Sequence, residues 1–132
     1  MKKQIIGEDY IQSSENVLDY LRHNLRNRGR EVFLVVLLNG RNQVLDIVEL
    51  FEGTLTTSTV YPREVIKLIL EKDAAAVIFV HNHPSGNPNP SKDDQNLTQK
   101  LKTACATIDV QLHDHLIIAG NEYTSMADKG MV

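Results

Sequence analysis

His81 and His83 stand two residues apart at the exit of an apolar run, Ala74 to Val80. Alternate residues of an extended chain share a face, so the two imidazoles point to one side and form a bidentate clamp for a metal. Ser91 comes after seven intervening residues and Asp94 three positions later. That spacing sets a hydroxyl and a carboxylate on the first turn of a helix whose start the loop can fold back toward the histidines. Two imidazoles and one carboxylate give zinc three ligands and keep a fourth position for water, the arrangement of a catalytic site rather than a closed structural one. Ser91 and Asp94 read equally as a capping pair, the serine accepting from an orphan backbone N–H and the aspartate favoured near the positive helix end. The sequence leaves both readings open. The single cysteine, Cys105, forms neither an internal disulfide nor a thiolate zinc cluster, so a metal here is held by imidazole and carboxylate.

The elements that must hold these groups follow from the apolar pattern. Val17, Leu18, Leu21 and Leu25 fall at helical spacing between Ser14 and Arg28, and Gly29 is placed for a left-handed cap, so a helix is expected there. Val32 to Leu38 is a continuous β-favouring run ending at Asn39-Gly40, a hairpin signal, with a second strand expected over about Gln43 to Phe51. Leu55 to Val60 is Thr-rich and expected to be extended, and Pro62 opens a helix through Val65, Leu68 and Ile69 that ends near Asp73. Ala74 to Val80 is expected to be a short buried strand that delivers the chain to His81, and the proline-rich stretch His81 to Pro90 a loop. A helix from Ser91 carries Leu97, Leu101, Ala104 and Ile108. Strands are expected at Val110 to Leu112 and Leu116 to Ala119, followed by a turn at Gly120-Asn121.

With 132 residues, 42% of them apolar and 23% charged, the chain can bury one core and is too short for two, and its composition excludes disorder and fibrous repeats. We expect a single domain over residues 14–132 after an N-terminal extension, residues 1–13. No apolar run approaches the ~20 residues that cross a bilayer, and no secretory segment follows the polar start, so a cytoplasmic protein without membrane contact is expected. Seventeen acidic against 14 basic residues leave a formal charge of -3, which gives no overall field for nucleic acid. Arg22, Arg26, Arg28, Arg30 and Arg41 nevertheless form a basic run that suits phosphate or an acidic partner as well as it suits a solvated face.

The conjunction of strand, His81-x-His83, stiffened loop and Ser91-x-x-Asp94 resembles the zinc motif of the JAMM (MPN+) metalloproteases, and the longer text HNHPSGNPNPSKDD is similar to the bacterial RadC-type branch. The similarity runs from Glu31-Val32-Phe33 through Gly53-Thr54, Pro62-Arg63-Glu64 and Asp114-His115 to Tyr123-x-Ser125. It implies an α/β (α+β) fold, a mixed β-sheet flanked by helices in the MPN/JAB, cytidine-deaminase-like architecture. It also implies Zn2+ held by His81, His83 and Asp94, Ser91 helping to hold a tetrahedral oxyanion, and Glu31 as the base that activates water. The substrate class it implies is a peptide or isopeptide bond in a peptide or protein. RadC-type proteins usually carry a helical, helix-hairpin-helix-like region ahead of this domain, which this chain is expected to begin too late to contain.

Hairpin geometry supports the same choice of base, because it sets Glu49 opposite Arg30 or Val32 and so facing away from the side of Glu31. Glu31 begins its strand whereas His81 ends another, and the ends of an eight-residue strand lie roughly 25 Å apart. The two strands must therefore run in opposite directions. By residue type alone, Glu31 also reads as a solvated strand-end charge beside Arg30.

His113-Asp114-His115 is a second His-x-His, without a third ligand at a workable spacing. Asp114 and His115 are expected to support the site through hydrogen bonds and His113 to be exposed, while Cys105 is expected to be a small buried hydrophobe. Beside the hydrolase reading stands a non-catalytic binding module that meets a protein or DNA partner in DNA repair, with the arginine run as its support. A zinc nucleobase deaminase is excluded, since its His-x-Glu and Pro-Cys-x-x-Cys pair are missing.

Overall fold

Two runs, Val32–Leu38 and Ala76–Asn82, are buried along their whole length, and a strand buried on both faces needs a cover on each. The computed structural model, which describes residues 2–132, provides both covers. In chain order the elements are α1 (Lys2–Ile5), α2 (Ser14–Leu25), β1 (Val32–Leu38), β2 (Val44–Glu52), α3 (Pro62–Lys72), β3 (Ala76–Asn82), α4 (Lys92–Ala106), β4 (Gln111–Ala119) and β5 (Glu122–Ser125). The strands form one five-stranded sheet in the order β2-β1-β3-β4-β5. β3 and β4 are parallel and every other neighbouring pair is antiparallel, so this is the mixed, helix-flanked α/β (α+β) sheet expected.

Period-two alternation divides the core between the two faces. Val32, Leu34, Val36 and Leu38 of β1 join Ile78 and Val80 of β3 against the Val17, Leu21 and Leu25 stripe of α2, with Ile5 of α1 alongside. Phe33, Val35 and Leu37 join Val77 and Phe79 against α3 and α4. Each such buried side chain is worth about 1.5–3 kcal/mol of transfer free energy. α3 starts at Pro62 and stops where Asp73 turns left-handed, its N–H returning to the carbonyls of Ile69 and Leu70. β1 and β3 are antiparallel with Phe33 opposite His81, the direction that Glu31 and His81 demand. From the carboxyl end of β3 the chain crosses through α4 to the parallel β4, and ligands of such units collect at that strand end.

Several boundaries differ from the sequence reading. α2 stops at Leu25, the last of its buried stripe, and the left-handed residue is Asn27 rather than Gly29. The β1–β2 connection is longer than a two-residue turn: Leu38 pairs with Val44, Asn42 is the left-handed residue, and Asn39 Oδ1 accepts from the Arg41 and Gln43 N–H groups. This longer connection and the register shift between Leu37 and Leu38 set Glu49 opposite Leu34, not Arg30 or Val32. Leu34 and Glu31 are still on opposite faces, so Glu49 points away as expected. Residues 57–59 form a turn, not extended chain, because Thr59 Oγ1 and the Thr56 backbone bond each other. β3 runs on through Asn82, so His81 sits within the strand. The two short strands expected after α4 are one, β4, whose polar middle is accommodated by a register shift beside Ile78. Among the described residues no helix is long and apolar enough to cross a membrane.

Candidate metal centre

His81 shares the face of Phe33, the face that α4 covers, and is completely buried. α4 lies on the sheet along Asp94, Leu97, Thr98, Leu101 and Cys105, so the packing that buries its leucines carries Asp94 over the end of β3. His81 Nε2 is 3.2 Å from Asp94 Oδ1, His83 Nε2 is 3.0 Å from Asp94 Oδ2, and the two Nε2 atoms are 3.0 Å apart. One ligand atom from each of the three residues lies within 4.8 Å of the others, a group that could hold a metal ion. The capping geometry is present as well. Ser91 Oγ accepts from the Asp94 N–H at 3.0 Å, and Asp94 Oδ2 accepts from the Ser91 N–H at 2.8 Å. The two readings of Ser91 and Asp94 are compatible, because a carboxylate has lone pairs for both a backbone donor and a cation, and the cap fixes the direction in which the carboxylate points.

Hydrogen bonds behind the histidines determine which nitrogens are free. Thr98 Oγ1 donates its one proton to the Asp94 carbonyl at 2.7 Å. His115 Nδ1, 2.6 Å from Thr98 Oγ1, must therefore be the donor in that contact. Burial, followed by the charge of His81, lowers His115 well below the ordinary histidine value, so it is neutral and its Nε2 accepts. His81 Nδ1, 2.7 Å away, donates to it. His83 Nδ1 likewise donates to the Asn87 carbonyl at 2.7 Å. With Nδ1 of each ring committed as a donor, the Nε2 atoms of His81 and His83 both face the Asp94 carboxylate, the side on which a cation would be held. The hydrogen bond to the Asp94 carboxylate raises His83, although burial lowers it. Burial tends to raise Asp94, but its bonds with His81 and His83 outweigh this and hold the carboxyl far below the usual carboxylate range. The donor set, two nitrogens and a carboxylate oxygen with outer partners in place, fits a divalent transition metal.

Glu31 enters from the opposite side. Stepping two residues outward from the Phe33–His81 pair brings Glu31 level with His83, and Glu31, His83 and Ser91 line one cleft of about 540 Å³. Its position is fixed from three directions. Asn82, 4% exposed, accepts from the Val32 N–H at 2.6 Å and donates to the Arg30 carbonyl at 3.0 Å, clamping the residues on either side of Glu31. The Gly53 N–H donates to the Glu31 carbonyl at 2.9 Å, and the Leu55 N–H to Glu31 Oε2 at 3.2 Å. Gly53 has φ +139, and a Cβ there would meet the Phe51 ring at 3.2 Å, so the close approach to Glu31 requires glycine.

The structure thus brings His81, His83 and Asp94 together and sets Glu31 and Ser91 along the cleft that His83 also lines. Sequence reasoning missed Asn82 and Thr98. The signal for Asn82 was a polar residue between two histidines of a strand, forced by alternation onto the other face. His115 supports the site as expected, wedged edge-on between Phe33 and Phe79. Asp114 does not; it faces away and accepts from the Ser125 hydroxyl and the Ala127 N–H, holding the chain after β5. His113 is half-buried rather than exposed and bonds Asn42 Oδ1 at 2.8 Å. Cys105 is buried in the core as expected.

Comparison with known proteins follows the same lines. The family model described as the RadC-like JAB domain matches residues 11–131. A UPF0758 protein of Shewanella baltica is 52% identical over 114 residues, covering 86% of this chain and 51% of the relative. A UPF0758 protein of Shewanella amazonensis is 48% identical over 122 residues, 92% of this chain and 54% of the relative. The chain therefore spans about half the length of the curated relatives it matches. With the His81, His83 and Asp94 cluster at the mouth of a mixed sheet and a family match over nearly its full length, the chain belongs to the RadC-like JAB domain family.

Proposed function

We propose that this domain is a zinc-dependent hydrolase of the JAMM type that opens a peptide or isopeptide carbonyl. The observation that carries this reading is the convergence of His81 Nε2, His83 Nε2 and the Asp94 carboxylate beside a cleft that Glu31 and Ser91 also line. Zinc, when held by His81, His83 and Asp94, would acidify a water and polarise the scissile carbonyl. Glu31 Oε2 is occupied by the Leu55 N–H; Oε1 accepts no hydrogen bond among the described residues and takes the proton of the attacking water. Glu31 then passes that proton to the leaving amine. Ser91 Oγ receives the Asp94 N–H while its own proton stays available, so the same hydroxyl caps α4 and donates to the oxyanion. Asn82, Gly53 and Leu55 hold Glu31 in line with this chemistry, which is the preorganisation such a step needs.

The test is elemental analysis of the purified protein beside His83→Ala and Asp94→Ala, followed by hydrolysis of a peptide library by wild type and Glu31→Gln. The expected result is near-stoichiometric zinc in wild type, loss in both ligand variants, and retained zinc with at least ~100-fold slower hydrolysis in Glu31→Gln. Absence of zinc after supplementation would overturn the reading. Equal function of Glu31→Gln and wild type would replace it with a binding module that meets a protein or DNA partner.

A further inference from the structure

A second groove, of about 360 Å³, adjoins the metal cleft: His83 and Pro84 line both. Its other wall is the end of α2 and the chain beyond it, which supplies Arg22, Arg26 and Arg28, and no acidic side chain lines it. Two of these arginines are incompletely used. Arg22 Nε and Arg28 Nε are buried without a hydrogen-bond partner, and no other buried side-chain nitrogen or oxygen among the described residues is left so. The ion pairs these arginines make use other nitrogens. Arg28 pairs with Glu49 through a terminal nitrogen, and Arg22, stacked over Tyr123, reaches Asp19 at 3.6 Å through Nη1. Arg26 makes no ion pair among the described residues. A guanidinium with unused N–H groups matches a carboxylate, which takes two parallel hydrogen bonds at once.

We propose that this arginine-lined groove is an anion subsite that receives a carboxylate side chain of an acidic peptide segment running into the metal cleft. The proposal rests on the hydrolase reading and names its substrate class. A peptide carboxylate is favoured over a nucleic acid for two reasons. The groove meets the metal cleft at His83 and Pro84, so a peptide lying in the cleft can set one side chain into it, and the chain's overall charge of -3 repels a long polyanion outside this patch.

The experiment uses the full chain in chelator, so that binding is read without hydrolysis and failure of the one reading leaves the other intact. The probes are a rhodamine-labelled octapeptide of alternating Gly and Glu, its Gly and Gln counterpart, and a dT dodecamer, all followed by fluorescence anisotropy. The Glu peptide should bind roughly tenfold or more tightly than the Gln peptide, with the preference removed in Arg22→Gln, Arg28→Gln and falling with added salt. On the wild type, the Arg22 and Arg28 Nε–Hε NMR signals should shift with the Glu peptide and not with the Gln peptide, a readout independent of whether the double variant folds. Equal binding of the two peptides, or unmoved Nε–Hε signals, would overturn the proposal. Tighter binding of the dT dodecamer than of the Glu peptide would also overturn it and assign the groove to nucleic acid.

Discussion

At the scale of single residues, His115 tests whether the groups behind the His81, His83 and Asp94 cluster matter for metal binding. Its ring links Thr98 to His81 Nδ1 in the hydrogen-bond chain, and outer partners of metal-binding histidines are typically worth 10–100-fold in affinity. His115→Phe keeps the volume between Phe33 and Phe79 but leaves His81 Nδ1 without an acceptor. We expect zinc affinity, measured by competition with a chromophoric chelator, to fall about 10–100-fold while Asp94→Ala loses binding outright. Unchanged affinity would show that His81 selects its tautomer without help. The spacing of His81, His83, Ser91 and Asp94 was legible because these residues lie close together in the chain and their geometry is local. The partners of Asn82 are not, since its bond to Val32 spans 50 residues, and no short-range pattern encodes a contact of that range. Thr98 was hidden differently: a threonine on the buried stripe of a helix looks like packing until the carbonyl it bonds is known.

At the scale of elements, the sheet is tied to its helices by charge as well as by apolar contact. Asp46 of β2 bonds Lys2 of α1 at 2.7 Å and Lys72 of α3 at 2.9 Å. Burial tends to raise its carboxyl, but these two lysines outweigh it and lower it below the usual aspartate value. A carboxyl lowered on folding contributes stability that is complete above its unfolded value, ~3.9, and is lost as the pH falls through the folded one. Asp46→Asn should therefore cost about 1 kcal/mol at pH 7, limited by the exposure of both lysines, and close to nothing in strong acid. Urea denaturation of wild type and variant at several pH values reads this directly; a constant gap would mean that the cost is one of packing. Elements with one dominant apolar period, α2, β1 and α3, were predictable to within a few residues. The β1–β2 register was not, because bulges depend on which side chains meet across the pair, and the polar middle of β4 concealed a strand whose pairing with β3 outweighs its composition.

At the scale of the whole molecule, the layered arrangement was readable from two strands that are apolar on both faces and so need helices on each side. Cys105, fully buried on the sheet-facing side of α4, reports on that arrangement. Burial pushes its thiol up to about 11, which leaves roughly a thousandth of it as thiolate at pH 8. Its reaction with iodoacetamide should be slower than in the urea-unfolded chain by orders of magnitude and should track global opening across a denaturant series. A rate insensitive to stabilising conditions would indicate a local opening of α4 instead. The crossed origin of the site also separates two events during folding. The ligand residues sit within one short stretch, His83 and Asp94 being 11 positions apart, and closing so small a loop costs little entropy. Glu31 reaches that stretch only after β1 has paired with β3, across the 50 positions that separate Val32 from Asn82, a contact that chains form late and slowly. On the hydrolase reading proposed above, a nascent chain would capture its ion before it has any means of cutting a bond, and hydrolytic competence would arrive only with the completed sheet.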